Sequence, residues 1–136
     1  MNVKANYQYY QNLKSKSASD LDFIILKILE LKVQFIYLVG DYGSGKTFFV
    51  KQLGKHLKIK DEITSPSFNF AFVYKGLVHI DLDNYKGDLS EFEDYFIDNI
   101  VAIEWADKLN FFDQNSVLIE IKIWDEFTRD INFYYN

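Results

Sequence analysis

The feature that most constrains this chain is Gly40-Asp41-Tyr42-Gly43-Ser44-Gly45-Lys46-Thr47, set between an apolar run and a segment of helical periodicity. It fits G-x-x-x-x-G-K-[ST], a phosphate-binding loop, and both flanks are those the pattern requires. Phe35-Ile36-Tyr37-Leu38-Val39 has strand composition, and Phe49, Val50, Leu53 and Leu57 recur at the spacing of one helix face. Glycines at 40, 43 and 45 open backbone angles closed to other residues and let main-chain N–H groups approach a phosphate. Lys46 suits the β- and γ-phosphates of a nucleotide, and the Thr47 hydroxyl suits Mg²⁺. The helix that begins near Lys46 adds its N-terminal partial positive charge to the same place. A glycine-rich turn that merely happens to carry Lys-Thr is the competing explanation, and it leaves the agreement of both flanks to coincidence.

The rest of the chain reads as strands and helices around that loop. Residues 1–17 read as an extended or loosely docked leader, with an edge strand near 7–10. Ser19 or Asp20 can cap a helix whose apolar stripe is Leu21, Ile24, Ile25, Ile28 and Leu31. The run 35–39 is apolar on both faces, as the buried centre of a sheet should be. Ile63-Thr64-Ser65-Pro66-Ser67-Phe68 holds the only proline and predicts a shaped turn. Residues 70–74 and 77–81 flank Lys75-Gly76 and predict a hairpin. Asp88-Leu89-Ser90-Glu91 resembles a capping box, with Leu89, Phe92 and Phe96 on one face behind it. Further strands are expected at 100–103 and 117–123, and a final edge strand at 131–135. Strands interleaved with helices around a phosphate loop imply an α/β fold. The expected form is a P-loop NTPase-like three-layer sandwich, a mixed central sheet with helices on both faces, with residues 1–136 as one domain.

Charge and composition exclude several functions. A net charge of −5 opposes a dedicated nucleic-acid binder. Lys51, Lys55, Lys58 and Lys60 read as a solvated helix face and its exit. The chain has no cysteine, hence no disulfide, thiolate metal site or cysteine nucleophile. Its longest apolar runs are too short to span a bilayer, and no signal-peptide core follows Met1, so a cytoplasmic protein is expected. Arg129 is the only arginine, an unusual shortage for an enzyme that handles phosphates.

A phosphate loop needs carboxylates for a magnesium shell and a group that orients water. Ligands of α/β sheets bind beyond the carboxyl ends of parallel strands, which directs attention to His79-Ile80-Asp81 and Ile103-Glu104-Trp105. Each residue also has a plainer explanation. Asp81 could be a turn residue, His79 a hydrogen-bonded structural histidine, Glu104 a surface carboxylate and Trp105 a core plug.

The loop, then Thr64-Ser65-Pro66-Ser67-Phe68, then His79-Ile80-Asp81, then Ile103-Glu104-Trp105, together resemble the TsaE family, formerly YjeE. These are small bacterial ATPases required for threonylcarbamoyladenosine (t6A) modification of tRNA. The resemblance spans roughly residues 35–109 and is far more specific than the loop alone. It implies ATP and Mg²⁺ as ligands, with Asp41, Tyr42, Gly43, Ser44, Gly45, Lys46, Thr47 and Phe48 around the nucleotide and Trp105 beside it. It implies a metal site at Thr47, Asp81 and Glu104, and catalytic parts for Lys46, Asp81 and Glu104. Ser65-Pro66-Ser67-Phe68 would be a switch-like loop. The implied partner is the TsaB–TsaD pair, with tRNA met only indirectly through that complex. The sequence departs from the family pattern in two places. Ser67 replaces a threonine, and Asn84 stands where an arginine is usual, with Lys86 as its nearest substitute. A small-molecule kinase would need more arginines, and a GTPase would need an Asn-Lys-x-Asp sequence that is absent. A nucleotide-gated binding module without catalysis remains the alternative from a different class.

Overall fold

The run Phe35–Val39 is apolar at every position because it is covered from both sides. In the computed structural model, which describes residues 7–66 and 69–135, it forms β2. The other strands are β1 (Gln8–Ser15), β3 (Ala71–Tyr74), β4 (Leu77–Asp81), β5 (Ile100–Glu104), β6 (Ser116–Ile123) and β7 (Arg129–Tyr135). They make one seven-stranded sheet in the order β1-β7-β6-β2-β5-β4-β3. The neighbours β6, β2, β5 and β4 run parallel, so their carboxyl ends emerge along one edge. β1, β7 and β3 run antiparallel to their neighbours.

Alternation along the strands divides the core in two. Ile36, Leu38, Ala102, Ile119 and Phe133 face helices α1 (Asp22–Leu31) and α2 (Lys46–His56). Each helix lays an aliphatic or aromatic stripe on that face: Ile24, Ile25 and Ile28 from α1, Phe49, Val50 and Leu53 from α2. Burial of such side chains contributes roughly 1.5–3 kcal/mol each. Phe35, Tyr37, Val78, Ile80 and Leu118 face the other way. There the cover is made of 3₁₀ turns, Leu89–Tyr95 and Ala106–Lys108, and of aromatic side chains. Tyr37 stacks on Phe112 at 4.1 Å, and Phe35 meets the edge of Phe96 at 5.6 Å.

The α/β sandwich with a mixed sheet is therefore the observed fold, and four local expectations change. Helix formation begins earlier than Ser19 or Asp20. Ser17 precedes a 3₁₀ turn at Ala18–Leu21, and the Asp20 carboxylate accepts from the Lys16 and Ser17 amides at 2.8 and 3.2 Å. The segment after Asp88 is capped as expected, with Ser90 N–H donating to Asp88, but it winds as 3₁₀ rather than α-helix. β7 is not an edge strand, because β1 pairs along it from Gln8↔Tyr135 to Ser15↔Arg129 and takes the edge itself. That strand is also longer than the expected 7–10. Residues 1–6 of the expected leader, and Ser67 and Phe68 of the switch-like loop, lie outside the described residues. The hairpin at β3–β4 and the turn at Pro66, whose carbonyl accepts from Asn69 and Phe70 N–H, are as expected. Among the described residues no helix is long and apolar enough to cross a membrane.

Candidate active site

β2 ends at Val39, and the loop that follows turns back to start α2 at Lys46. Gly43 and Gly45 adopt φ of +75° and +110°, the left-handed region in which a side chain is strained. Gly40 is needed for a different reason. A Cβ there would lie 2.4 Å from the Ile121 carbonyl oxygen and 2.6 Å from Ser44 Oγ, so the loop can pass β6 this closely only without a side chain.

The period of two along β4 puts His79 and Asp81 on the face of the sheet that carries α2. β5 pairs with β4 so that Glu104 stands opposite Asp81, and with β2 so that it also stands opposite Leu38. All three polar residues are buried: His79 is 0%, Asp81 4% and Glu104 3% exposed. Such groups are retained in an interior only when hydrogen-bonded. Thr47 Oγ1 donates to both oxygens of Glu104 at 2.9 Å, and His79 Nε2 donates to Glu104 Oε2 at 2.5 Å. His79 Nδ1 meets no hydrogen-bond partner among the described residues, so the ring directs its polarity at Glu104 alone. Asp81 accepts from the Asp83 amide at 2.8 Å.

Lys46 is 5% exposed. Its ammonium donates to the carbonyls of Gly40 at 2.5 Å and Asp41 at 3.0 Å, and lies 4.1 Å from the Trp105 ring centre. Burial pulls its pKa below the ordinary lysine value, while Glu104 and Asp81 act in the opposite direction. Burial pushes the Asp81 carboxyl up; the Asp83 amide opposes this and the nearby Glu104 charge adds to it. Trp105 adopts φ +58°, an uncommon conformation for a bulky residue. That backbone turn brings its indole over Lys46 and to 4.9 Å from the Tyr42 ring, whose hydroxyl donates to Asp83.

The structure thus gathers Lys46, Thr47, Asp81, Glu104, Trp105 and Tyr42 at the carboxyl edge of the sheet. Asp41 is exposed on the loop. Phe48 lies on the opposite flank, where with Ser44, Gly45 and Phe127 it lines a cavity of about 380 Å³. Asn84 and Lys86 are exposed, whereas Lys108 lies 3.6 Å from Asp83 and 5.9 Å from the Trp105 ring. No cluster of three His, Cys, Asp or Glu side chains that could hold a metal occurs among the described residues. Two residues matter more than the sequence suggested. His79 is buried and hydrogen-bonded, as its plainer explanation had it, and its partner is Glu104. Arg129 bonds the phosphate loop directly, its Nε donating to the Ser44 carbonyl at 3.1 Å and its Nη2 to the Gly43 carbonyl at 3.2 Å. Its being the only arginine in the chain was the one signal available for it.

Comparison with known proteins bears on the fold and the family. The structure of Bacillus subtilis YdiB superposes with a TM-score of 0.72, covering 95% of this chain and 86% of that one, at 23% identity. The tRNA threonylcarbamoyladenosine biosynthesis protein TsaE of Aquifex aeolicus is 36% identical over 107 residues, 74% of this chain and 77% of its own. The protein of that name from Treponema pallidum is 31% identical over 133 residues, covering 86% and 95%. The family model for threonylcarbamoyl adenosine biosynthesis protein TsaE matches residues 10–131, and the chain belongs to the TsaE family.

Proposed function

We propose that this protein is a P-loop ATPase that serves t6A modification of tRNA by supporting turnover of a TsaB–TsaD complex in the cytoplasm. The observation that carries the reading is the meeting of Thr47 and Glu104 at the start of α2, with both carboxylate oxygens 2.9 Å from the hydroxyl. Hydroxyl and carboxylate oxygens are the donors a hard cation prefers. Mg²⁺ normally takes only one or two carboxylates and completes its shell with water and phosphate, which suits the small acidic complement of this site. Thr47 and Glu104, with Asp81 directly or through water, would hold it, and the bound ion would neutralise charge on the β- and γ-phosphates.

The chain's own groups account for the remaining work. Loop N–H groups and the Lys46 ammonium bind the phosphate oxygens and stabilise charge that builds up in the transition state. Lys46 must exchange its bonds to Gly40 and Asp41 for bonds to phosphate, and its pKa is depressed by burial. Glu104, held by His79, orients a water towards the γ-phosphorus. The water oxygen bonds to phosphorus, its proton passes to a γ-phosphate oxygen, the bond to the β–γ bridging oxygen breaks, and ADP and inorganic phosphate leave. Tyr42 and Trp105 shield the phosphate side, and the apolar wall at Phe48 suits the adenine ring. No arginine reaches the phosphates from within the chain, so intrinsic turnover should be slow and raised by the partner.

The test is ATP hydrolysis by the purified protein, alone and with its TsaB–TsaD pair, with Lys46→Ala as control. Partner stimulation lost in the variant supports the reading. Binding of ATP without hydrolysis in any mixture would make the protein a nucleotide-gated module.

A further inference from the structure

We infer that Arg129 is a positioning residue that holds the phosphate loop in its ligand-ready shape by loading the outward carbonyls of Gly43 and Ser44. This rests on the proposal that the loop binds nucleotide phosphates. Arg129 opens β7 and shares a sheet face with Ile131 and Phe133, which turns its side chain towards the loop. Four of its five N–H groups are engaged. Nε and Nη2 hold the loop carbonyls, and Nη1 donates to the carbonyls of Asp125 at 3.1 Å and Thr128 at 3.2 Å in the β6–β7 turn. The rigid fork therefore ties that turn to the loop.

The consequence for the loop follows from peptide geometry. The Ser44–Gly45 peptide is trans, as every peptide among the described residues is, so the Gly45 N–H points opposite to the Ser44 carbonyl. A cation bonded to that carbonyl fixes the plane and polarises it, which makes the opposite N–H a stronger donor. The neighbouring Ser44 N–H is held within the loop by the Asp41 carbonyl at 3.1 Å. Gly45, at φ +110°, has no side chain to fix its own orientation. The brace supplies what the glycine lacks.

Arg129→Lys keeps the charge and the stem but loses the fork, and Arg129→Met loses both. Three readouts decide: MgADP affinity by calorimetry, amide exchange at residues 43–45 without nucleotide, and thermal melting. Both variants should melt cooperatively, exchange faster at 43–45 and bind MgADP about tenfold or more weaker. Methylguanidinium added to Arg129→Ala should restore part of the affinity, which a global loss of structure would not permit. Unchanged exchange and affinity in Arg129→Lys would overturn the inference, because charge alone would then suffice. If Arg129→Met fails to fold, Arg129→Lys decides alone. Absence of MgADP binding by the unaltered protein would instead break the nucleotide proposal, and amide exchange would still report on the brace.

Discussion

The two halves of the candidate site are built from different materials. The loop half, residues 40–47, presents main-chain groups whose directions are set by glycines at positive φ and by the brace from Arg129. The strand-end half presents side-chain charge: Asp81 and Glu104 sit opposite each other on β4 and β5, with His79 behind Glu104. Backbone donors carry only partial charge, so they can be buried and pre-aimed at little electrostatic cost. Whole charges cannot, and the strand-end half accordingly contains the buried carboxyl whose pKa is raised and lies beside the lysine whose pKa is lowered. The loop half is thus sensitive to shape and the strand half to charge.

The widest separation of the two should come from Glu104→Gln. It keeps the shape and removes the charge, so hydrolysis in the presence of TsaB–TsaD should fall roughly 10²–10⁴-fold while ATP affinity, carried mainly by Lys46 and the loop amides, falls far less. Equal losses in both would place Glu104 in binding. Lys46→Ala should give the complementary result, with nucleotide affinity reduced by about a hundredfold, measured by calorimetry at fixed magnesium.

Gly40→Ala tests shape without touching charge. With the new methyl 2.4 Å from the Ile121 carbonyl, the loop must shift, and overpacking of this kind costs about 1–3 kcal/mol. A melting curve should report that loss together with weakened nucleotide binding. A fully stable variant with normal affinity would show that the loop half tolerates displacement.

The smallest effect has the opposite sign. Asp81→Asn retains an oxygen to accept from the Asp83 amide and removes a buried charge whose pKa burial raises, so without nucleotide it should raise stability modestly in denaturant unfolding. The pH dependence follows from the upward shift. Above the raised folded pKa both states carry an ionised carboxyl, and in the folded state that charge is held at a cost. That cost is full above the raised folded pKa and vanishes as pH falls through it towards the ordinary carboxylate range. The advantage of Asp81→Asn in denaturant unfolding should shrink over that window.

What could be read beforehand follows the same division. The loop was legible because its chemistry is local: glycines, Lys46 and Thr47 are consecutive, and strand and helix periodicity frame them. Glu104 and Asp81 could be nominated as strand-end acids, but alternation within a strand does not reveal which strand is its neighbour. Their opposition depends on β4 lying beside β5. Arg129 was illegible as a brace, since its bond to Ser44 joins residues 85 positions apart and depends on β7 being flanked by both β1 and β6. The 3₁₀ cover of the second face was missed because Leu89, Phe92 and Phe96 satisfy three- and four-residue spacing alike.

The placement of β7 also bears on the order of events as the chain folds. Its pairing with β1 joins Asn12 to Asp130, 118 positions apart, and contacts of such separation form only after a large loss of chain freedom. The loop, helix α2 and the strands β2, β4 and β5 are all synthesised earlier. The segment that contributes Arg129 leaves the ribosome after every other part of the site, and chain growth runs from the N-terminal side. The nascent protein therefore has its carboxylates and lysine before it has the Arg129 bonds to the loop, which are among the last contacts of the site to form.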